Sequence, residues 1–388
     1  MRRKLLGSSA TNDERVAVDS DEVEAYIREA DASPHPSVEM MRLEQAAKIA
    51  TRRGLQNKVR EIASRMQSIS SEDLAMVTIR TPITLPAWVA EAVLDQFTQH
   101  ADWRPGVTLF MEMEDPPSGR VSSHRTFATG NRDALRRVLQ TVIISPSGLP
   151  RSTLVTEADE DRHEIATASR IYAETQGHLL VGALMRISEK YGIPDVDDLA
   201  ALIVDRGASD TRLARSLAKG FHYFWIGDYE AAISIVIPKI EAAARDLLRA
   251  LDEGIYRVQV SKDPGGYPGM YALFTELEKL ALDEDWTWFL RWLLLGPIGL
   301  NLRNEVAHGF LCDPRPEHVA LVLRAAAVLI TAAPEAEQRH VDLFPALKPL
   351  SGVIGIADNA LSALSGIGAR LHALTLAQRL RLQRHNTD

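Results

Sequence analysis

Residues 227–254, GDYEAAISIVIPKIEAAARDLLRALDEG, carry one amphipathic pattern in which apolar side chains return every three or four residues. Asp228 stands where an N-cap is wanted, and Gly254 lies just past the end. A long helix of this kind draws most of its stability from burying its apolar face, and here other helices must cover it. The chain supplies them. The same period runs through 37–68, 157–190, 195–205, 210–217, MYALFTELEKLALD, DWTWFLRWLLL, NLRNEVAHGF and EHVALVLRAAAVLITAA. A further pattern from about Asp358 to 386 carries Arg370, Arg379, Arg381 and Arg384 and no acid before Asp388. The expected fold class is all-α or mostly α, a helical N-terminal domain followed by a helical bundle. Short strands are expected only at MVTIRTPITL (76–85) and GVTLFMEM (106–113), which are β-branched and partly alternating.

Breakers divide the chain. Residues 1–36 are polar and end in SPHP, and read as a flexible leader with a short helix around Asp21–Ala30. Residues 37–218 form the expected N-terminal helical domain and 219–333 the motif-bearing bundle. After AAPEAEQRHVDLFP, 334–388 form a C-terminal helical extension.

With 44 Lys+Arg against 52 Asp+Glu in 388 residues, the net charge of −8 argues against a surface built throughout to coat DNA or an anionic membrane. One cysteine, Cys312, leaves no disulfide framework and fits a reducing compartment. MRRKLLGSSATNDER has too short an apolar stretch for a signal peptide. Trp286–Leu300 is interrupted by Arg291 and Pro297, and Val319–Ala333 by Arg324, so neither reads as a membrane span. A cytoplasmic protein with no membrane partner is expected.

The common catalytic strings are missing: there is no phosphate loop, dinucleotide fingerprint, H-E-x-x-H or G-x-S-x-G. His163-Glu164 opens HEIAT, whose fifth position is Thr167, so no zinc pair forms and a solvated helix face is the reading. No cofactor and no metal are expected.

One constellation remains, GLNLRNEVAHG at 299–309. On a regular helix Asn304 and His308 share a face, whereas Arg303 points about 140° away from His308. An irregular helix start, allowed by Gly296-Pro297 and Gly299, would let the long Arg303 side chain reach the same cleft. Gly309 permits a bend after the histidine. The set suits phosphodiester cleavage without a metal. A histidine near its normal pKa moves a proton from a ribose 2′-hydroxyl or to the leaving oxygen. An arginine holds phosphate oxygens and the charge that develops on them. An asparagine orients either. The second acid/base would come from a two-fold dimer. By spacing alone, the competing reading is a helix start with a core-facing histidine.

NLRNEVAHG, with Arg303, Asn304, His308 and Gly309 in place, resembles the RNxxxHG signature of the DUF4209 family, a form of the R-x4–6-H motif of the HEPN superfamily. Residues 227–249 resemble that family's long helix, with Pro238, Glu241 and Arg245 at its Pro-x-x-Glu-x-x-x-Arg core. The resemblance covers roughly 220–330. It implies a helical bundle that dimerises, with Arg303 and His308 catalytic and Asn304 assisting. It also implies a metal-independent ribonuclease leaving 2′,3′-cyclic phosphates, often in antiviral defence or toxin systems. Other members are interaction or regulatory modules.

Glu241 and Arg245, four apart, read either as supporting residues beside the groove or as a surface ion pair. Trp286, Trp288, Phe289, Trp292, Leu293 and Leu294 have the spacing of core or dimer packing rather than of a base-stacking platform. Between Phe221 and Cys312 eight Lys/Arg face thirteen Asp/Glu, the wrong sign for phosphate binding. Basic residues gather instead at 41–66 (Arg42, Lys48, Arg52, Arg53, Lys58, Arg60, Arg65) and in the terminal helix. Both stretches read as solvated helix faces unless the fold brings them to His308. The expected function is thus a metal-independent endoribonuclease with RNA as substrate, a homodimer, and a regulatory protein partner as a further option. The alternative is a catalytically silent module binding protein or RNA, with other phosphate esters as a third substrate class.

Overall fold

The computed structural model describes residues 11–70, 72–74, 85–130, 141–145, 148–208, 210–260, 264–280 and 282–332. They are mostly helical, with two short strands, as the periodicity demanded. Contacts divide them into two compact units, one within Met1–Pro82 and Ala134–Thr156, the other within Ile83–Asp133 and Glu157–Asp388. The expected boundary at 218/219 falls inside a helix, Thr211–Trp225, whose Leu217, Ala218 and Phe221 belong to one continuous core.

In the first unit, Thr11 caps α1 (Asn12–Asp31) with a capping box. Its hydroxyl accepts from the Glu14 N–H at 3.2 Å, and the Glu14 carboxylate accepts from the Thr11 N–H at 2.8 Å. The expected flexible leader is therefore corrected: 12–31 form one helix, with Val23 and Ala30 buried. The stretch expected as one helical pattern is two, α2 (Pro36–Arg52) and α3 (Gln56–Ser68), broken at Gly54 where φ is 73°. Met40, Leu43, Ala46, Ala50 and Ile62 complete this core. The acids that made α1 look solvated are neutralised by α2 and α3: Arg42 lies 3.2 Å from Glu29, Arg53 3.3 Å from Asp19, Lys58 reaches Glu24, and Arg65 reaches Asp31.

A hairpin, β1 (Val142–Ile144) with β2 (Pro150–Thr153), pairs antiparallel with Val142 opposite Thr153 and a bulge at Ile143/Ile144. Neither strand expected from the sequence falls here. Lys48 ties it to α2 by donating to the Thr153 hydroxyl at 3.1 Å.

The second unit runs α4 (Ala87–Asp95), α5 (Arg104–Glu112), α6 (Val121–Gly130), α7 (Glu157–Tyr191), α8 (Val196–Asp205) and α9 (Thr211–Trp225). It continues with α10 (Tyr229–Ala250), α11 (Met270–Leu280), α12 (Glu284–Leu294), α13 (Leu302–Ala307) and α14 (Pro316–Thr331). GVTLFMEM is not a strand: it lies in α5, because Val107, Phe110 and Met111 recur at three and four residues and bury together. MVTIRTPITL, up to residue 84, and all of 334–388 with its terminal arginines lie outside the described residues.

Helix α14 is the axis of the unit. Val319 to Ile330 are buried without a break, the signature of a helix surrounded by others, and α5, α7, α9 and α10 pack against it. Helices α9 and α10 approach closely because Gly220 has no side chain; a Cβ there would stand 2.3 Å from Val236 Cγ2. The tryptophans of α12 pack as expected. Trp286, Phe289, Trp292, Leu293 and Leu294 are buried, and Trp288 donates to the Ser169 hydroxyl at 2.8 Å. Arg324 is also fully buried. Its guanidinium donates to the Met111 carbonyl at 2.8 Å and to that of Met113, capping α5, and lies 4.7 Å over Trp286.

Candidate functional site

Leaving α12, the chain turns back on that helix's own C-terminus. The Leu300 N–H donates to the Trp292 carbonyl at 2.9 Å, an approach so close that only Gly299 fits between. Asn301 then takes the left-handed conformation, φ 55°, which asparagine tolerates better than most residues. This is the irregular start that the sequence required for Arg303. The Asn301 amide accepts from Asn304 Nδ2 at 2.8 Å and donates to Glu305 Oε1 at 3.3 Å. It thus orients the first turn of α13 from outside.

Arg303 Nη1 donates to Asn304 Oδ1 at 3.1 Å, and its Nη2 lies 4.0 Å from Glu241 on α10. Glu241 is also 3.6 Å from Arg245 Nη2. Both separations exceed a hydrogen bond, so one carboxylate sits between two guanidiniums that keep most of their donors. Arg245 Nε is buried without a hydrogen-bond partner. Four of the five polar residues named from sequence, Glu241, Arg245, Arg303 and Asn304, therefore form one contiguous chain of contacts.

His308 sits at the end of α13. Its N–H still donates to the Asn304 carbonyl at 3.0 Å, and then Gly309, φ 71°, stops the helix. Gly309 N–H to Val306 O (3.1 Å) and Phe310 N–H to Glu305 O (2.8 Å) make the paired bonds of a Schellman ending. The turn leaves the imidazole exposed, its ring 6.1 Å from that of Phe310, which is 72 % exposed. No hydrogen bond joins His308 to Arg303 or Glu241 among the described residues. The histidine is neither core-facing nor capped, which disposes of the bland reading of the string.

Sequence reasoning passed over several residues. His318, at the start of α14, is largely buried. Its Nε2 accepts from Arg315 Nη2 at 2.9 Å, Nδ1 has no partner, and burial first, then the charge of Arg315, holds its pKa down at about 4. Burial likewise lowers the buried Arg324 to about 9. Tyr256 and Tyr267, in the loop between α10 and α11, are exposed, and the Arg245 guanidinium lies 5.0 Å over the Tyr267 ring. Only a long-range contact of this kind singles those tyrosines out. Among the described residues no group of three His, Cys, Asp or Glu is placed to hold a metal ion, and no helix is long and apolar enough to cross a membrane.

Neither a protein-family model, nor a curated protein, nor a solved structure matches this chain. The site is therefore argued from its own chemistry.

Proposed function

We propose that the α13 corner is the site of a metal-independent endoribonuclease of HEPN type. The observation that carries this reading is an exposed imidazole presented one turn beyond an arginine–asparagine pair whose guanidinium has open donors. His308 takes the proton of a ribose 2′-hydroxyl. The 2′-oxygen bonds to the adjacent phosphorus, the bond from phosphorus to the 5′-oxygen breaks, and a 2′,3′-cyclic phosphate and a 5′-hydroxyl result. Arg303 binds the phosphate oxygens and the charge they gain in the transition state. Asn304 holds the guanidinium, and Glu241 with Arg245 backs it from α10. The leaving oxygen needs a proton of its own, and the same histidine of a second copy in a two-fold dimer would give it. RNA is thus the partner, and a homodimer the working state.

A second reading, a silent module that binds a partner, is favoured by the exposed Phe310 beside His308 and by the acidic balance of residues 221–312.

Labelled tRNA and single-stranded RNA incubated with the purified protein in excess EDTA decide between them. Cleavage with cyclic-phosphate ends, lowered roughly 10²–10⁴-fold in His308→Ala, is expected. Activity equal in both proteins contradicts the assignment of His308, and inactivity of the wild type favours the silent module.

A further inference from the structure

Residues 255–260 and 264–267 form the legs of a hairpin between α10 and α11, closed by reciprocal 2.9 Å hydrogen bonds between Arg257 and Gly266. Ile255 anchors its base in the core, yet every residue from Tyr256 to Val260 is exposed. Tyr256 and Tyr267 meet across the hairpin edge to face, ring centres 5.4 Å apart at 80°. Gly265 makes this possible, since a Cβ there would stand 2.8 Å from the Tyr256 hydroxyl. The two rings keep 57 % and 50 % of their surface in solvent, in a unit that buries Phe97, Phe110, Phe221, Phe224, Phe274 and Phe289.

The pair is joined to the candidate site. Arg245 covers Tyr267 at 5.0 Å and shares Glu241 with Arg303. Two flat rings are therefore followed by two guanidiniums that keep open donors, from Tyr256 through Tyr267 and Arg245 to Arg303. A nucleic-acid single strand offers a partner to each part, unstacked bases for the rings and anionic phosphates for the guanidiniums. A duplex does not, because its bases are stacked inside and it offers only grooves and phosphates. Tyr271 shows the contrast. It too is exposed beneath an arginine, at 4.9 Å, but Arg291 donates to Thr275 and Glu278 at 2.9 Å, and no ion pair or hydrogen bond among the described residues joins it to Arg245 or Arg303.

We propose that Tyr256 and Tyr267 form a stacking platform for unpaired bases of an RNA strand whose phosphates pass over Arg245 and Arg303. The site thereby selects single-stranded over duplex RNA. This rests on the reading that RNA is the substrate. Val258 and Val260, exposed on the same leg, make a second copy of the chain the rival occupant.

The test uses the full chain carrying His308→Ala, which blocks turnover, with fluorescence anisotropy of a short labelled RNA and of the same sequence as a duplex. The single strand is expected to bind about tenfold tighter than the duplex. Tyr267→Ala and Tyr256→Ala should each weaken single-strand binding roughly tenfold or more, with Tyr267→Trp restoring it. Tyr271→Ala should change nothing. Equal affinity for both RNAs, no binding of either, or tyrosine variants that alter self-association but not RNA affinity would overturn the platform. Cleavage is read separately, with His308 in place. Tyrosine-independent binding with intact cleavage removes the platform and leaves the nuclease site. Tyrosine-dependent binding without cleavage does the reverse.

Discussion

The basic segment 41–66 and the corner of α13 carry the same kind of side chain to opposite effect. By charge count the first looks like the RNA-facing region and the second, in its acidic surroundings, does not. In the fold the two differ in how far their cations are already engaged. Arg42, Arg53, Lys58 and Arg65 each meet a carboxylate of another helix and Lys48 meets Glu44 on its own, so these five are engaged, whereas Arg52 and Arg60 have no ion pair among the described residues. Arg303 and Arg245 share one carboxylate at distances too long for hydrogen bonds and keep donors for a ligand. Net charge over a domain is a poor guide to an anion site; what matters is whether each cation already has its partners. Arg324 is the extreme of the engaged class, fully buried with its fork on two carbonyls.

The contrast can be broken by exchanging readouts. Removing an engaged cation should cost stability and leave RNA alone, and removing an open one should do the opposite. The largest stability effect is expected from Arg324→Ala, which orphans the Met111 and Met113 carbonyls. Denaturant unfolding should show a loss of about 3 kcal/mol or more. Acid gives the next. His318 has a folded pKa of about 4 against 6.5, so between those values the unfolded chain binds the extra proton. The stability from keeping it neutral is complete above pH 6.5 and is lost as pH falls through about 4, on the order of 2–3 kcal/mol. His318→Gln should flatten that part of the stability-against-pH curve, and an unchanged curve would contradict the buried neutral ring.

Smaller effects sharpen the comparison. In a binding assay against salt, Arg245→Ala should reduce the slope of log K on log salt by about 0.7, one phosphate's worth for a single strand. Arg53→Gln or Arg65→Gln should leave that slope unchanged and lower stability by about 1 kcal/mol or less each. A slope that responds to Arg53 or Arg65 would put the RNA surface on the wrong unit.

What could be read from sequence was what local rules decide. Asp195, Asp210 and Asp228, read as helix starts, cap α8, α9 and α10 through their carboxylates, while Asp283, read as the end of the pattern before it, caps α12. Amphipathic periods located most helices. GVTLFMEM was misread because β-branched composition outweighed a three-to-four period in a short window, and 142–153 was missed because three- and four-residue strands carry almost no pattern. Residues 12–31 looked too acidic to order, since their cationic partners lie on α2 and α3. At the site, the Arg303–Asn304–His308 string and an irregular start were legible, but Arg303 was expected to reach the cleft of His308, and its contacts are with Asn304 and Glu241 instead. The placement of Arg245 against Tyr267 was not, because it depends on how a loop returns over α10.

The central claim is that Arg303 acts on RNA and carries little of the fold. It is tested most directly by measuring single-turnover RNA cleavage in EDTA and the thermal midpoint on the same preparations of wild type and Arg303→Ala. The account predicts a rate lowered roughly 10²–10³-fold with an essentially unchanged midpoint. An unchanged rate, or a midpoint that falls along with the rate, would contradict it.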